Sequence, residues 1–469
     1  MDIMQSTNLA NELLVPAAAT PQADGKLSFR EKISYGLGDL GSNLMWGIVG
    51  SFLLYFYTDV ALIPVAATGT LILVARILDS IIDPVIGGMV DRTNTRHGRA
   101  KPYILFGIVP FAIMLILTFT SPDFSTTGKI IYASVTYIIA GLLYSLVNVP
   151  YGALMPMMTR SGEEKNQLSS FRMVGMAVGS IIVTALTTPM VKFFGGGNEK
   201  TGYLFTTAVF AVLSAAMFLI VYKNCKERYV EPVSAVKEKG VLLKTYKSAF
   251  KNTPWVATIL FSLLLFVRTG AIVSITIFFC LHVLHNPGMI SILLPSLYVS
   301  ILFSAAITPA FLKKFKQRKG NIIANIIFMV GLAFMPLLEN NMTLFVGLWF
   351  LANVFGGISS GAVFSMIANS VDYNEWKFNK KAEGTLYAGY SFATKVGMAL
   401  GSAVVGYTLA LSGYNAENVT PAASSAINVL FFAIPLVCTV LQIIAVSFYK
   451  LDAIHPQVVR ELEQRRNAV

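Results

Sequence analysis

The sequence predicts an all-α membrane protein of twelve transmembrane helices arranged as two six-helix halves. Three observations carry this. The chain of 469 residues is 55% hydrophobic and only 13% charged, whereas a soluble domain is about 45–50% apolar and about 25% charged. The apolar residues fall in repeated runs of the ~20 residues that a helix needs to cross the hydrocarbon core, not in amphipathic stripes. The longest internal polar stretch, 224–253, divides those runs six and six.

Apolar runs between polar breaks place the spans at 33–60, 66–90, 102–121, 128–151, 168–194, 202–223, 254–283, 288–312, 321–338, 342–370, 384–412 and 426–449. Basic residues gather in the loops on one side: Arg92, Arg96, Arg99 and Lys101, then Arg160 and Lys165, then Lys313, Lys314, Lys316, Arg318 and Lys319, then Lys377, Lys380 and Lys381. The other side offers Lys129, Lys192 and Lys200. By the positive-inside rule the basic side is cytoplasmic and both termini lie there, which requires an even number of spans. The expected organisation is a disordered cytoplasmic tail over 1–27, an N-terminal half over 28–223 and a central cytoplasmic loop over 224–253. A C-terminal half over 254–450 and a cytoplasmic tail over 451–469 follow. The first 25 residues hold no Lys or Arg and no long apolar core, so a cleavable signal peptide is not expected.

The formal net charge of +12 sits in these loops, so a bilayer, not nucleic acid, is the expected partner. Cys225, Cys280 and Cys438 have no metal-ligand or redox spacing. No nucleophile–base pair, His/Cys cluster or Gly-rich nucleotide loop stands out, so neither an enzyme nor a bound cofactor is expected. His282 and His285 flank the Asn286-Pro287 turn on the side opposite the termini and read as loop surface. Basic segments follow both span two, Gly88 to Arg99, and span eight, Lys313 to Gly320. That is a weak internal symmetry, of the kind repeated transporter halves show.

Charged groups at bilayer depth cost about 2.5–3.5 kcal/mol each even on mild scales, and they persist where they face an aqueous cavity or one another. Span two carries Arg76, Asp79 and Asp83, spaced i, i+3, i+7 and so on one helix face. Two carboxylates one turn apart in a poorly solvated site repel, and a proton or a small cation such as Na+ relieves them. Pro84 has no N–H and frees the Ser80 carbonyl beside them. Span one adds Asp39 and Asn43, and span four adds Tyr144, Ser145 and Asn148. Arg172 opens span five, Arg268 lies in span seven and Lys395 deep in span eleven. Four deep cations, Arg76, Arg172, Arg268 and Lys395, face three deep acids, Asp39, Asp79 and Asp83. If all seven line one cavity, its field favours an anionic or strongly polarised solute.

With these motifs in view, residues 28–450 resemble the glycoside–pentoside–hexuronide:cation symporter family of the major facilitator superfamily. The resemblance is carried by Tyr35-Gly-Leu-Gly-Asp39, Tyr57-Thr-Asp59, span two through Asp83-Pro84, Asp91 to Arg99, Asp372-Tyr-Asn-Glu-Trp376 and Lys395. It implies that Asp79 and Asp83 bind the coupling cation, with Ser145 assisting where sodium is used. It implies that Lys395 lies between cation and sugar, and that Arg172 lies close to the sugar. Asn43, Asn148 and Gly152 stand where the melibiose branch has two sugar-binding aspartates and a tryptophan platform, which argues against galactosides.

Charges and resemblance together imply a secondary active transporter of a small hydrophilic solute, a monomer in the bacterial inner membrane. The expected activity is Na+- or H+-coupled symport, by alternating access, of a glycoside, pentoside or hexuronide, with an acidic solute favoured. Candidate solute ligands are Asn43, Arg76, Tyr144, Asn148, Arg172, Arg268 and Lys395. Import or export of a small organosulfonate or sulfonated sugar is the alternative; a lipid carrier or a membrane enzyme fits less well. Asp91, Arg92, Arg96 and Arg99 are expected to form a cytoplasmic gate with Asp372, Glu375 and Glu383.

Overall fold

The computed structural model describes residues 26–229, 249–379 and 383–467. Nearly all of the tail expected to be disordered over 1–27, and much of the central loop over 224–253, therefore lie outside the described residues. Twelve described helices are long and apolar enough to cross a membrane. In the first bundle they are α1 (Phe29–Tyr55, continued by a π turn Phe56–Val60), α2 (Val65–Arg92), α3 (Lys101–Thr118), α4 (Thr126–Met158), α5 (Gly162–Gly195) and α6 (Glu199–Asn224). In the second they are α7 (Thr253–His282), α8 (Ile290–Phe315), α9 (Gln317–Phe334), α10 (Met342–Phe378), α11 (Glu383–Leu411) and α12 (Pro421–Ser447). Many begin where a Ser, Asn or Thr side chain accepts from an early backbone N–H, as at Ser28, Ser125, Ser161, Asn198, Asn252, Asn341 and Thr420. Such caps satisfy donors that the helix itself leaves open.

Every expected span is present; α3 stops at Thr118, three residues short of the expected 121, and the larger discrepancies are extensions. α4 and α10 run to Met158 and Phe378, seven or eight residues past the expected ends. At 1.5 Å per residue helices of 33 and 37 residues outreach a hydrocarbon core of about 30 Å. Their last turns, polar in α10 (Asp372 to Lys377) and apolar in α4 (Leu154 to Met158), lie on the face that carries the described ends of the chain. α2 continues through Pro84.

The two bundles repeat one another. In the first, α1 packs on α5 and α6, α2 on α4, and α3 on α4 and α6; in the second, α7 packs on α11 and α12, α8 on α10, and α9 on α10 and α12. The bundles meet through α2 with α11, α5 with α8, and α1 with α7, and exchanging the halves maps this set onto itself. The equivalent tight pairs use the same device. A Cβ on Gly179 of α5 would stand 2.8 Å from the Leu40 carbonyl of α1, and one on Gly401 of α11 would stand 2.6 Å from the Ala271 nitrogen of α7. Small residues let membrane helices approach until backbones touch, where apolar burial against lipid gives no drive.

Two features lie at the face that carries the termini. Beyond α6, Glu227 accepts from the backbone N–H groups of Arg99, Ala100 and Lys101 at 2.6, 3.0 and 3.0 Å. That is a carboxylate on the N-terminus of α3, where the helix dipole favours it. Arg228 bonds Glu31 at 2.7 Å, and the Arg228 and Tyr229 nitrogens donate to the Met157 carbonyl. The C-terminal tail, expected only as a cytoplasmic extension, forms an amphipathic helix α13 (His455–Asn467) that packs on α10 through buried Val458 and Leu462.

Candidate solute and cation site

The charges of α2 divide between the two bundles. Arg76 lies 3.7 Å from Asp79 on its own helix. Asp79 is 4% exposed and its carboxylate presses against Gly141 of α4, where a Cβ would meet Oδ1 at 2.5 Å; only glycine leaves that space. Asp83, one turn on, pairs through Oδ2 with Lys395 of α11 in the opposite bundle. Its other oxygen, Oδ1, is buried and has no hydrogen-bond partner among the described residues, and the Ser145 Oγ of α4 is in the same condition. A buried oxygen without a donor loses about 1–3 kcal/mol relative to a satisfied one. A carboxylate oxygen and a hydroxyl left bare in this way are ligands of the kind a small hard cation takes.

A second ion pair lies within the first bundle. Arg172 of α5 donates to Asp39 of α1 through Nε at 2.5 Å and Nη2 at 3.2 Å, a two-point arrangement that fixes the guanidinium plane. The Tyr151 hydroxyl also donates to Asp39, at 2.9 Å, and the guanidinium lies 5.0 Å from the Tyr151 ring centre. Asn43 Nδ2 donates to the Asp39 carbonyl and its Oδ1 accepts from Ser180. Asn148 donates to Ser42 and keeps its amide oxygen free of described partners. Tyr144 stacks on Trp46 with centroids 4.3 Å apart and planes within 7°, and Arg76 stands 4.4 Å over the Trp46 ring. Trp46 was not singled out from sequence. A tryptophan in a membrane span looks like any other apolar residue until its stacking partners, 30 and 98 positions away in the chain, are known.

Arg268 is placed differently from the other three cations. It is 4% exposed, and its guanidinium turns into the second bundle. Nη1 donates to Asn325 of α9 and Thr439 of α12, and Nη2 to the Gly356 carbonyl of α10. The Phe328 ring covers it at 4.3 Å. Among the described residues no carboxylate pairs with it. Its stem forms part of the wall of a cavity between α7, α8 and α10, also lined by Thr269, Tyr298, Asn353 and Ser360.

The two faces differ. Away from the termini the bundles are bonded: the Tyr414 hydroxyl donates to Asp59 at 2.5 Å, His282 Nε2 lies 3.0 Å from that hydroxyl, and Thr70 meets Tyr407 at 2.6 Å. His282 is thus half-buried in an inter-bundle cluster, and only His285 is loop surface as expected; an aspartate and a tyrosine from distant segments close over it. At the termini face Asp91, Arg92 and Arg96 are exposed. Arg99 joins Glu227 through its backbone. Asp372 meets His455 of α13 at 3.2 Å and Trp376 donates to Glu461 at 2.6 Å. Glu375 lies between them on α10. Glu383 opens α11, and its side chain is outside what is described.

Two equivalent six-helix bundles with ion pairs sunk in the spans are the architecture of a secondary transporter of the major facilitator superfamily. The chain belongs to the MFS/sugar transport protein family, whose profile matches residues 34–453, and within it to the glycoside/cation-symporter-like transporters of the bacterial inner membrane. It is 36% identical over 443 residues to the isoprimeverose transporter of Lactiplantibacillus pentosus, covering 93% of this chain and 91% of that one. It is 33% identical over 461 residues to the putative glycoside/cation symporter YagG of Escherichia coli K12, covering 94% and 96%. The nucleoside transporter NupG shares the fold, with a TM-score of 0.67 at 15% identity, covering 90% of this chain and 99% of that one.

Proposed function

We propose that the protein is a cation-coupled symporter of a neutral glycoside, working by alternating access, and that the present conformation is open to the cytoplasm. The observation that carries this reading is Asp83: one carboxylate oxygen holds Lys395 of the other bundle, and the second, with Ser145 Oγ, stands bare. A Na+ ion or a proton arriving at Asp79 and Asp83 competes with Lys395 for the same charge. Cation binding thereby loosens a contact between bundles, and coupling is this difference in affinity between the two conformations. The basic loops at the termini face support a cytoplasmic assignment for it.

The expectation of an acidic solute rested on four deep cations against three acids. Arg76, Arg172 and Lys395 each stand beside a carboxylate, and Arg268 commits its Nη donors to Asn325, Thr439 and the Gly356 carbonyl. What remains for a solute is amide, hydroxyl and aromatic surface at Asn148, Tyr144 and the free edges of Arg172, which suits sugar hydroxyls. The names of the relatives, an isoprimeverose transporter and a glycoside symporter, point the same way. Asp91, Arg92 and Arg96, exposed here, close on this reading against the second bundle in the opposite conformation; Arg99, Asp372, Glu375 and Glu383 are candidates beside them. The test is uptake into proteoliposomes with imposed sodium or pH gradients and a panel of neutral glycosides and their uronates. Accumulation of a neutral glycoside that collapses with the gradient is expected; accumulation of uronates alone overturns the solute assignment.

A further inference from the structure

Five bases fall within the seven residues that join α8 to α9: Lys313, Lys314, Lys316, Arg318 and Lys319. The chain reverses there through one residue, Lys316, at φ 62°, so the charges are held close and repel. The sequence has no Asp or Glu from 301 to 338 to relieve them. Asp452, beyond α12, reaches the turn, but one of its oxygens accepts from the Arg318 backbone N–H at 2.7 Å. Lys313, Lys316 and Lys319 are exposed and make no ion pair among the described residues. Arg318 Nε is buried with no hydrogen-bond partner among them. The corresponding loop of the first bundle is built otherwise: Asp91 stands among its arginines, Lys101 lies 4.8 Å over the Tyr222 ring, and Glu227 accepts from its last backbone N–H groups. Orientation in the membrane calls for bases in both loops; it does not call for leaving one set unpaired.

The unpaired set has a particular place. α9 packs on α8, α10 and α12, and α12 on α7 and α9, which puts both on the outside of their bundle. Each shows an exposed apolar row: Ile326, Val330 and Phe334 on α9, and Leu441, Ile444 and Phe448 on α12. Steps of three and four residues keep each row on one helix face. Lys319 stands ahead of the α9 row and exposed Lys450 follows the α12 row. The Asp452–Arg318 bond fastens the end of α12 to the start of α9, so the two lysines border one seam. Cations above an apolar surface at the membrane edge are the groups that an anionic lipid meets.

We propose that the seam between α9 and α12 binds an anionic phospholipid, its phosphate among Lys316, Lys319 and Lys450 and its acyl chains along the two apolar rows. An acidic protein segment would use the bases and leave the rows bare. The site lies apart from the ion pairs of α2 and α5, and it stands whether or not the glycoside reading does.

Purified protein in an uncharged detergent is titrated at constant ionic strength with dioleoyl phosphatidylglycerol, dioleoyl phosphatidylcholine or sodium phosphate, and its melting temperature is followed. Phosphatidylglycerol should reach half of its full stabilising effect at about tenfold lower concentration than phosphatidylcholine. Lys316→Gln, Lys319→Gln and Lys450→Gln together should raise that concentration by about tenfold or more, since each base near an anionic lipid surface is worth about fivefold. Lys26, Arg30 and Arg460 are exposed on the same face, and changing these three to Gln, a charge-matched control, should leave it unchanged. Equal losses in the two triple variants overturn the site in favour of diffuse attraction. Equal potency of the two lipids on the wild type, or no effect of either, overturns it as well. Stabilisation by inorganic phosphate alone overturns the lipid assignment. Should the first triple variant not fold, Lys319→Glu, a single exposed change, decides in its place.

Discussion

Lys395 and Asp83, 312 positions apart in the chain, form an ion pair that joins α11 of one bundle to α2 of the other. Both are partly exposed, with side chains 23% and 22% accessible. Protein therefore does not fully enclose the pair.

Removing the lysine frees the carboxylate. Lys395→Ala should tighten cation binding, read as cation-dependent thermal stabilisation, by about tenfold, while lowering gradient-driven solute accumulation by about tenfold or more. Asp83→Asn should abolish accumulation yet retain solute exchange. The double variant should lose less stability than the sum of the single losses, by about 1 kcal/mol for a partly solvated pair. Strict additivity would show that the two residues do not interact in the folded protein.

The far-face latch should set the balance between conformations. Tyr414→Phe removes the hydroxyl that donates to Asp59, and a hydrogen bond to a charged group contributes about 1.5–3 kcal/mol. The population open at that face should rise by about tenfold or more, seen as faster labelling by an impermeant maleimide of a Ser402→Cys reporter, Ser402 lying in the half of α11 toward that face and accepting from Ser274 of α7 at 2.8 Å. An unchanged labelling rate would count against the latch.

Close helix contact predicts a position-specific cost. Gly179→Val puts side-chain atoms where the Leu40 backbone and Asn43 Cβ stand at 2.8 and 2.9 Å from the first added carbon. Overpacking of this kind costs about 1–3 kcal/mol, which should appear as a lower melting temperature in detergent. At Gly152 nothing lies within 4 Å of an added Cβ, so Gly152→Ala should melt with the wild type.

All three cysteines are buried. Burial pushes the Cys225 thiol, beyond the end of α6, up to about 12, so near pH 8 little of it is thiolate, the reactive form. The native protein should resist maleimide, and denaturant should expose three labelling sites. Rapid labelling of native protein would contradict this packing, and slow labelling keeps the background low for the reporter above.

The spans were legible because bilayer thickness fixes helix length, and the Arg76–Asp79 contact was legible because residues three apart share a helix face. Helix ends at 158 and 378 were not: Pro150 and Pro156 read as breaks in α4, and the polar turn Asp372 to Lys377 of α10 carries no apolar signal. Partners across the fold were invisible for a different reason. Asp39 and Arg172 were each expected to matter, yet nothing local says that they meet each other. Arg268 shows the converse: its depth was read correctly, but its direction depends on Asn325 and Thr439 from two other helices. α13 carries Val458 and Leu462 four apart, a helical spacing that a closer reading of the tail would have found.

The Glu227 clasp bears on how the molecule is put together. Because the chain leaving α6 is fastened to α1, α3 and α4 by residue 229, it departs from a finished edge. Among the described residues, the end of the first bundle is thus tied to its own helices. A gene divided after Tyr229 would encode two pieces with their own sealed borders, able to find one another through the shared faces of α1 with α7, α2 with α11 and α5 with α8.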